Sequence, residues 1–265
     1  MTAIRAAAAA SESDWVAQAV RDARDDYNFG SVLPAVFEDY ARVFHPATLC
    51  EAEVRWAEVA SANGRVMHPA AEWGSLTGSW QLASQDDLWD QEPRTGELPE
   101  RLANRLAGVL APFTREPGRC LYGAWEGWGV PSVMMLWREG RSKAEVRQAQ
   151  EAAEARIATW QTLLNSAPRL VLPAQREMHL LEGPLDAVSE FYEEQHRHPP
   201  SLWWSADRAW CVGTDIDLMT TYVGGRSEAI SALLDDEQLE ALRVPLGQRV
   251  DWEADTINPL PKPRF

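Results

Sequence analysis

The spacing of apolar residues along the chain predicts several helices. Over residues 142–166, Ser142 and Glu145 match a capping box, and apolar residues follow at intervals of three and four. Pro99 is expected to open another helix, because the first turn tolerates a residue without an N–H. Further helices are predicted to begin near Ser11, Thr48, Pro184 and Ser227.

Alternation of apolar and polar residues predicts strands between these helices. Residues 119–129 form one such stretch, and RAWCVGTDIDLM, residues 208–219, forms another. In the second stretch, alternation places Trp210 on one face of the strand and Asp215 and Asp217 on the other. Adjacent strands at 169–182 break a strict βαβ order. The predicted fold class is therefore α+β, with a mainly antiparallel or mixed sheet and several packed helices.

The same patterns suggest how the chain is organised. Residues 1–10 are predicted to be a frayed N-terminal arm, and residues 256–265 an extended tail. Between them, 11–115 is helix-rich and 116–255 contains the sheet; both parts are expected to form one continuous domain. The irregular stretch 64–98 holds three tryptophans, so we expect it to cover apolar surface or to border a pocket.

Composition and charge narrow the possible functions. Forty acidic and 25 basic residues give a formal net charge of −15, so neither nucleic acid nor an anionic membrane is an expected direct partner. The three cysteines lie far apart and in no CxxC spacing, which favours a cytoplasmic location over a disulfide framework. No stretch approaches the ~20 apolar residues of a membrane span.

The thirteen tryptophans are the strongest compositional signal. Several of them cluster around the two predicted strands that contain glycine, residues 119–129 and 208–219. Aromatic surfaces of this kind bind small ligands and proteins. The alternative is a structural role in the core or under loops. If the tryptophans form a binding surface, the candidate ligand-binding residues are Tyr122, Trp125, Glu126, Trp128, Trp203, Trp204 and Arg226.

Two aspartates define a candidate metal site. On one face of a strand, Asp215 and Asp217 would have Cβ atoms roughly 7 Å apart, close enough to share a divalent cation. Glu126 is a possible third carboxylate. Arg226 and the first N–H groups of the following helix form a possible anion site. The alternative is that the aspartates lie on a solvated face.

Two further groups of residues are weaker candidates for a functional site. His196 and His198 lie two apart in a loop and could both reach one metal, although surface histidines are the simpler interpretation. Cys120 and Cys211 are conceivable nucleophiles, but both fall in strand patterns where a buried cysteine is the commoner outcome. The sequence contains no G-x-S-x-G elbow.

Several segments together resemble a known group of sequences. The segments YARVFHPA, VRWAEVA, CLYGAWEGWG, LWWSADRAWCVGTDID and TYVGG resemble an uncharacterised family of actinobacterial proteins. The resemblance extends from about Tyr40 to Leu242. Because that family has no established activity, the resemblance implies no catalytic residues.

Three functions are compatible with these patterns. The first is a non-catalytic binding protein whose tryptophan-rich surface takes a small molecule or a protein partner. The second is a metal-dependent enzyme that acts on a phosphate-containing substrate through Asp215 and Asp217. The third is an acidic protein that acts like an immunity protein or mimics nucleic acid, with a basic partner.

Overall fold

Helices and strands alternate along the chain, as the apolar spacing predicts. The computed structural model describes residues 3–21, 27–129, 142–193 and 197–261. The α-helices in this part of the chain are α1 Asp14–Ala19, α2 Trp56–Ala62, α3 Trp73–Thr77, α4 Glu100–Leu110, α5 Lys143–Ser166 and α6 Ser227–Leu234. The strands are β1 Arg5–Ala6, β2 Asp39–Phe44, β3 Ala47–Leu49, β4 Ala52–Val54, β5 Cys120–Trp125, β6 Arg169–Leu172, β7 Arg176–Gly183, β8 Leu202–Ser205, β9 Trp210–Thr214, β10 Thr220–Gly225 and β11 Ala241–Arg243.

One antiparallel sheet organises the described residues. Eight of its nine strands follow the order β1-β7-β5-β8-β9-β10-β2-β11, and the ninth, β6, pairs with β7 beside β1. The hairpin β3–β4 forms a separate small sheet. The α+β class with a mainly antiparallel sheet is therefore confirmed. Because β2 lies between β10 and β11, the N-terminal and C-terminal parts of the chain share this sheet.

Both faces of the sheet are buried. On one face, Trp203 and Trp210 pack in a cluster with α4, α6 and the 3-10 helix Leu185–Tyr192. On the other face, Trp204 packs in a cluster with α1 and the segment that precedes β2. Strand neighbours such as Trp203 and Trp204 point to opposite faces. Apolar residues in consecutive positions are therefore expected in these strands.

A third apolar cluster lies beside the end of β2. It joins Phe44 to α2, α3 and the following loop through a chain of tilted and edge-to-face aromatic pairs. The expectation that residues 64–98 cover apolar surface is therefore met. The residues that form this series of aromatic pairs are Phe44, Trp56, Trp73 and Trp89.

Both ends of the described chain differ from the sequence-based expectation. Instead of fraying, Arg5 pairs with Glu182 through the backbone of β1 and β7, and its guanidinium donates to the Glu182 carboxylate at 2.7 Å. In the expected tail, Asn258 is buried and exchanges hydrogen bonds with the backbone of Val66 at 2.8 and 2.9 Å. Long-range polar contacts hold both segments, and neighbouring sequence does not reveal such contacts.

The helix expected from about Thr48 to Asn63 is shorter in the structure. Its first half is the β3–β4 hairpin, and only Trp56–Ala62 is helical. Cys50 and Glu51, at the tip of the hairpin, have φ angles of 49° and 69°. A tight hairpin turn with two positive φ angles normally contains asparagine or glycine. The sequence therefore lacks the usual signal for this turn.

The predictions for α4 and α5 are confirmed. α4 follows Pro99 and buries Leu102, Leu106 and Leu110. At the start of α5, the Ser142 side chain and Glu145 form the predicted capping box. The apolar stripe of α5 is fully buried only near its end, at Trp160 and Leu164. No helix in the described ranges is both long and apolar enough to cross a membrane.

Candidate functional site

Three of the predicted ligand-binding residues are core residues. Tyr122, Trp203 and Trp204 are at most 1% exposed. Trp203 stacks on Tyr122 with ring centroids 6.3 Å apart and meets Trp210 edge to face at 5.5 Å. These side chains fill the space between the sheet and its helices, so they present no surface to a ligand.

The residues that follow β5 lie nearer the surface. Trp125 and Trp128 pack edge to face at 5.8 Å, and Trp128 is 38% exposed. The Glu126 carboxylate accepts a hydrogen bond from Arg169 Nη2 at 3.2 Å. The structure therefore separates Trp125 and Trp128 from the buried Trp203 rather than joining them into one aromatic surface.

The predicted anion site beside Arg226 is occupied by a carboxylate. α6 begins at Ser227, and Arg226 is its exposed N-cap residue. The hydroxyl of Ser227 donates to Glu38 Oε1 at 2.8 Å, and its backbone N–H donates to Glu38 Oε2 at 3.4 Å. A negative side chain at a helix N-terminus takes the place that an anion would fill.

Asp215 and Asp217 lie in a turn rather than on one face of a strand. The stretch predicted as one strand contains β9 and the turn that leads to β10, which begins at Thr220. Asp215 Oδ1 accepts from the Asp217 N–H at 3.2 Å, and its Oδ2 accepts from Arg176 Nη1 at 2.8 Å. A short acidic side chain that accepts from the backbone two residues on stabilises such a turn.

The aspartates therefore have different surroundings. Asp215 is paired with Arg176, whereas Asp217 is exposed and borders a cavity. Within the described ranges, no group of three or more His, Cys, Asp or Glu residues is arranged to hold a metal ion. His198 Nε2 donates its N–H to the Trp125 carbonyl at 2.8 Å, because a carbonyl oxygen can only accept. His196 lies outside the described residues.

A tryptophan-lined cavity of about 210 Å³ opens beside the Asp217 turn. It lies between the irregular segment after α2, the β9–β10 turn and the C-terminal segment. The expectation that residues 64–98 border a pocket is therefore met. The lining residues are Arg42, Trp56, Glu72, Trp73, Gly74, Ser79, Trp80, Leu82, Glu92, Asp217, Leu218, Met219, Val250 and Trp252.

A buried ion pair lines this cavity. Arg42 projects from β2 with a side chain 2% exposed, and its Nη2 donates to Glu72 Oε1 at 2.9 Å. The guanidinium also donates to Thr220 Oγ1 and to the carbonyls of Pro69 and Ala71, at 3.0–3.1 Å. These bonds compensate the desolvation of a buried charge.

Glu72 is the perturbed acid of the cavity. Burial raises the pKa of its carboxyl to about 7, even though Arg42 favours the ionised form. Oε1 accepts from Arg42, and the hydrogen bonds among described residues include none to Oε2. A carboxyl that changes charge near neutral pH in a cleft is a candidate functional group.

Two exposed tryptophans stand at the mouth of the cavity. Trp80 and Trp252 pack edge to face at 6.3 Å and are 39% and 56% exposed. The segment that carries Trp252 is fixed by Asp255, whose carboxylate accepts from His68 Nε2 and from the Asn258 side chain at 2.9 Å. The backbone that follows Trp252 is therefore held in place, although the indole itself is partly exposed to solvent.

A buried histidine fixes the neighbouring backbone. His45 Nδ1 lies 2.7 Å from the Arg94 carbonyl, which can only accept, so Nδ1 carries the proton. Nε2 then accepts from the Thr221 hydroxyl at 2.9 Å, and Thr221 accepts from Thr214 at 2.6 Å. Burial lowers the pKa of His45 to about 4. The ring is therefore neutral and holds the loop at Arg94 against the sheet.

Glu72 and His45 are expected to oppose each other in the pH dependence of stability. Between pH 4.5 and 6.5 the folded state keeps a proton on Glu72 that the unfolded state releases, so stability falls as pH rises. His45 is neutral when folded and protonated when unfolded, so its contribution rises with pH. Each contribution is about 3 kcal/mol over this range.

Urea denaturation of Glu72→Gln across this pH range separates the contribution of Glu72 to stability from that of His45. The stability difference, wild type minus variant, should fall by about 3 kcal/mol from pH 4.5 to 7. For His45→Gln the difference should change in the opposite direction. Exposed Glu228 lies on α6 away from the cavity, so Glu228→Gln should follow the wild type. Parallel curves for Glu72→Gln and wild type would contradict the assignment.

The sequence patterns miss the central pair of this site. Arg42 and Glu72 were not predicted as site residues, and neither was Trp252. The sequence contains one signal for Arg42, because this residue lies inside DYARVF, a strand whose residues are all buried. Arginine is rarely fully buried unless it is paired. A charged residue in such a strand therefore indicates a buried partner without identifying it.

Comparisons with known proteins do not assign the chain to a family. No protein-family model, no curated protein and no solved structure matches the chain. The resemblance to actinobacterial proteins stays a prediction from the sequence. The function has to be inferred from the cavity and its residues.

Proposed function

We propose that the protein binds a small organic molecule in the tryptophan-lined cavity. The observation that carries this proposal is the pairing of exposed indoles at the mouth, Trp80 and Trp252, with a buried charged pair inside, Arg42 and Glu72. Ligand sites commonly combine apolar and aromatic walls with a few fixed polar groups. The proposed site replaces the one expected around Trp125 and Trp203.

The surroundings of the two indoles support binding rather than packing alone. Trp56, Trp73 and Trp89 are buried and complete an apolar cluster. Trp80 and Trp252, in contrast, are 39% and 56% exposed, and long-range hydrogen bonds hold the backbone a few residues after Trp252. Covering a large exposed aromatic surface is favourable by roughly 25 cal/mol per Å². A ligand that covers these rings therefore gains affinity from the apolar area that it removes from water.

The polar groups of the cavity can orient such a ligand. Glu72 Oε2 can accept a hydrogen bond when ionised and donate one when protonated. Because the pKa of Glu72 is raised to about 7, both forms are present near neutral pH. Asp217 and Glu92 add exposed carboxylates at the rim.

We expect Trp252→Ala to weaken binding at least about tenfold, because it removes an indole that covers the ligand. The test is a nuclear magnetic resonance screen of small ring-containing fragments, which follows the indole N–H signals of Trp80 and Trp252. Trp128→Ala is the matched control, since Trp128 is similarly exposed and also has an edge-to-face partner.

Two outcomes would reject this proposal. One is a screen in which no fragment shifts the Trp80 or Trp252 signals. The other is equal loss of affinity in Trp252→Ala and Trp128→Ala, because Trp128 does not line the cavity.

We also propose that the protein acts in the cytoplasm and does not bind nucleic acid directly. Its three cysteines are free, and Cys120 and Cys211 are buried within strands. Burial raises the pKa of Cys120 to about 12, so the thiol form persists and a nucleophilic role is not supported. The formal net charge of −15 opposes a phosphate backbone.

A further inference from the structure

The carboxylates of the cavity outnumber its cation. Glu72, Glu92 and Asp217 line it together with one arginine, Arg42. The guanidinium of Arg42 is already used, because it donates to Thr220, Pro69, Ala71 and Glu72. The charged groups that remain for a ligand are therefore carboxylates, which favour positive charge.

The aromatic walls favour the same charge. The face of an indole ring is electron-rich and attracts a cation within about 6 Å of the ring centroid. The chain already shows this attraction, because the Arg42 guanidinium lies 5.0 Å from the Phe44 ring centroid and 5.9 Å from that of Trp56. Trp80 and Trp252, by contrast, remain 39% and 56% exposed at the mouth of the cavity, although the Trp80 ring also packs against Gly74.

We propose that the cavity selects a small organic cation with a methylated ammonium head, held between the Trp80 and Trp252 indoles and the Glu72 carboxylate. This inference rests on the proposed function and specifies its ligand class. A methylated ammonium suits the site because it needs few hydrogen-bond acceptors, and Leu82, Leu218 and Val250 in the wall offer none from their side chains.

The size of the cavity agrees with a head group. Its volume of about 210 Å³ is below the roughly 300–1,000 Å³ of sites for drug-sized ligands. A small cation, or the ammonium end of a longer molecule, therefore fits better than a large planar ligand. A shallow groove that shares Trp80, Leu82 and Glu92 with the cavity continues outward and leaves room for a substituent.

Binding of a cation is coupled to the charge of Glu72. The charged groups that act on this carboxyl are Arg42 from β2, which favours ionisation, and Asp251 and Asp255 from the C-terminal segment, which oppose it. A bound cation adds to the effect of Arg42. Binding should therefore release a proton near pH 7 and weaken about tenfold from pH 8 to pH 6, where Glu72 is mostly protonated.

Calorimetric titration can test the charge selection with a pair of matched probes. Choline carries the methylated ammonium, and 3,3-dimethylbutan-1-ol has the same shape without the charge. We expect choline to bind at least about tenfold more tightly at pH 8. Glu72→Gln should reduce this preference and remove the pH dependence, and Asp217→Asn should reduce the preference without a change in fold. Glu228→Gln should bind as the wild type does.

Each result of the titration decides the inference. Equal affinity for both probes overturns the selection for a cation, and so does the absence of choline binding. In either case the fragment screen judges the proposed function separately, because it includes neutral rings. Retention of the full preference in both Glu72→Gln and Asp217→Asn places the cation elsewhere and overturns the assignment to this cavity.

Discussion

Replacing Trp203 by alanine is expected to lower the free energy of unfolding by about 3–5 kcal/mol. The indole is 1% exposed and lies between Tyr122 and Trp210. Its removal leaves a cavity in the main apolar cluster, and the surrounding sheet cannot close over it completely. Urea denaturation, with the unfolding midpoint followed by circular dichroism, measures the loss.

Two variants make this result specific. Trp203→Phe keeps part of the ring and should cost clearly less than alanine. Trp128→Ala, at a residue 38% exposed, should change stability by about 1 kcal/mol or less. If Trp203→Ala and Trp128→Ala cost the same, Trp203 is not a core residue, and the binding surface predicted from the sequence would regain support.

Arg42→Met is expected to lower the free energy of unfolding by about 3–5 kcal/mol. The substitution removes the donor to Glu72 and leaves the carbonyls of Pro69 and Ala71 without the guanidinium. It also removes the main influence that favours ionised Glu72, so the pKa of Glu72 should rise further.

The double variant Arg42→Met/Glu72→Leu distinguishes the ion pair from the rest of the site. Replacing both partners with apolar residues removes the uncompensated charge, so part of the lost stability should return. Denaturation of the single and double variants gives the coupling energy between the two residues. A double variant that is less stable than Arg42→Met would show that the pair is not the source of the loss.

The sequence predicts the elements whose signals are local. The capping box of Ser142 and Glu145 locates the start of α5, and Pro99 locates α4, because both signals act within a single turn. Alternation in residues 208–219 likewise predicts the strand that carries Trp210. These patterns predict which residues are buried, but not whether a buried tryptophan binds a ligand or fills the core.

The candidate site depends on contacts between distant segments. Arg42 and Glu72 lie 30 residues apart, and Trp80 meets Trp252 through the fold of the C-terminal segment. No spacing rule links such residues. The strand predicted to carry Asp215 and Asp217 ends before them for a local reason. Continued alternation resembles a long strand, whereas an aspartate that accepts from the backbone two residues on stabilises a turn.

The order of strands in the sheet has a consequence for how the chain is made. Arg42 on β2 and its partner Thr220 on β10 lie 178 residues apart, and Arg5 lies 177 residues from Glu182. At a synthesis rate of roughly 5–20 residues per second, β2 leaves the ribosome about 10–40 s before β10. Its apolar side chains have no sheet partner during that time. Folding of this half of the sheet is therefore completed late in synthesis or after release, and the emerging β2 is a natural substrate for chaperones.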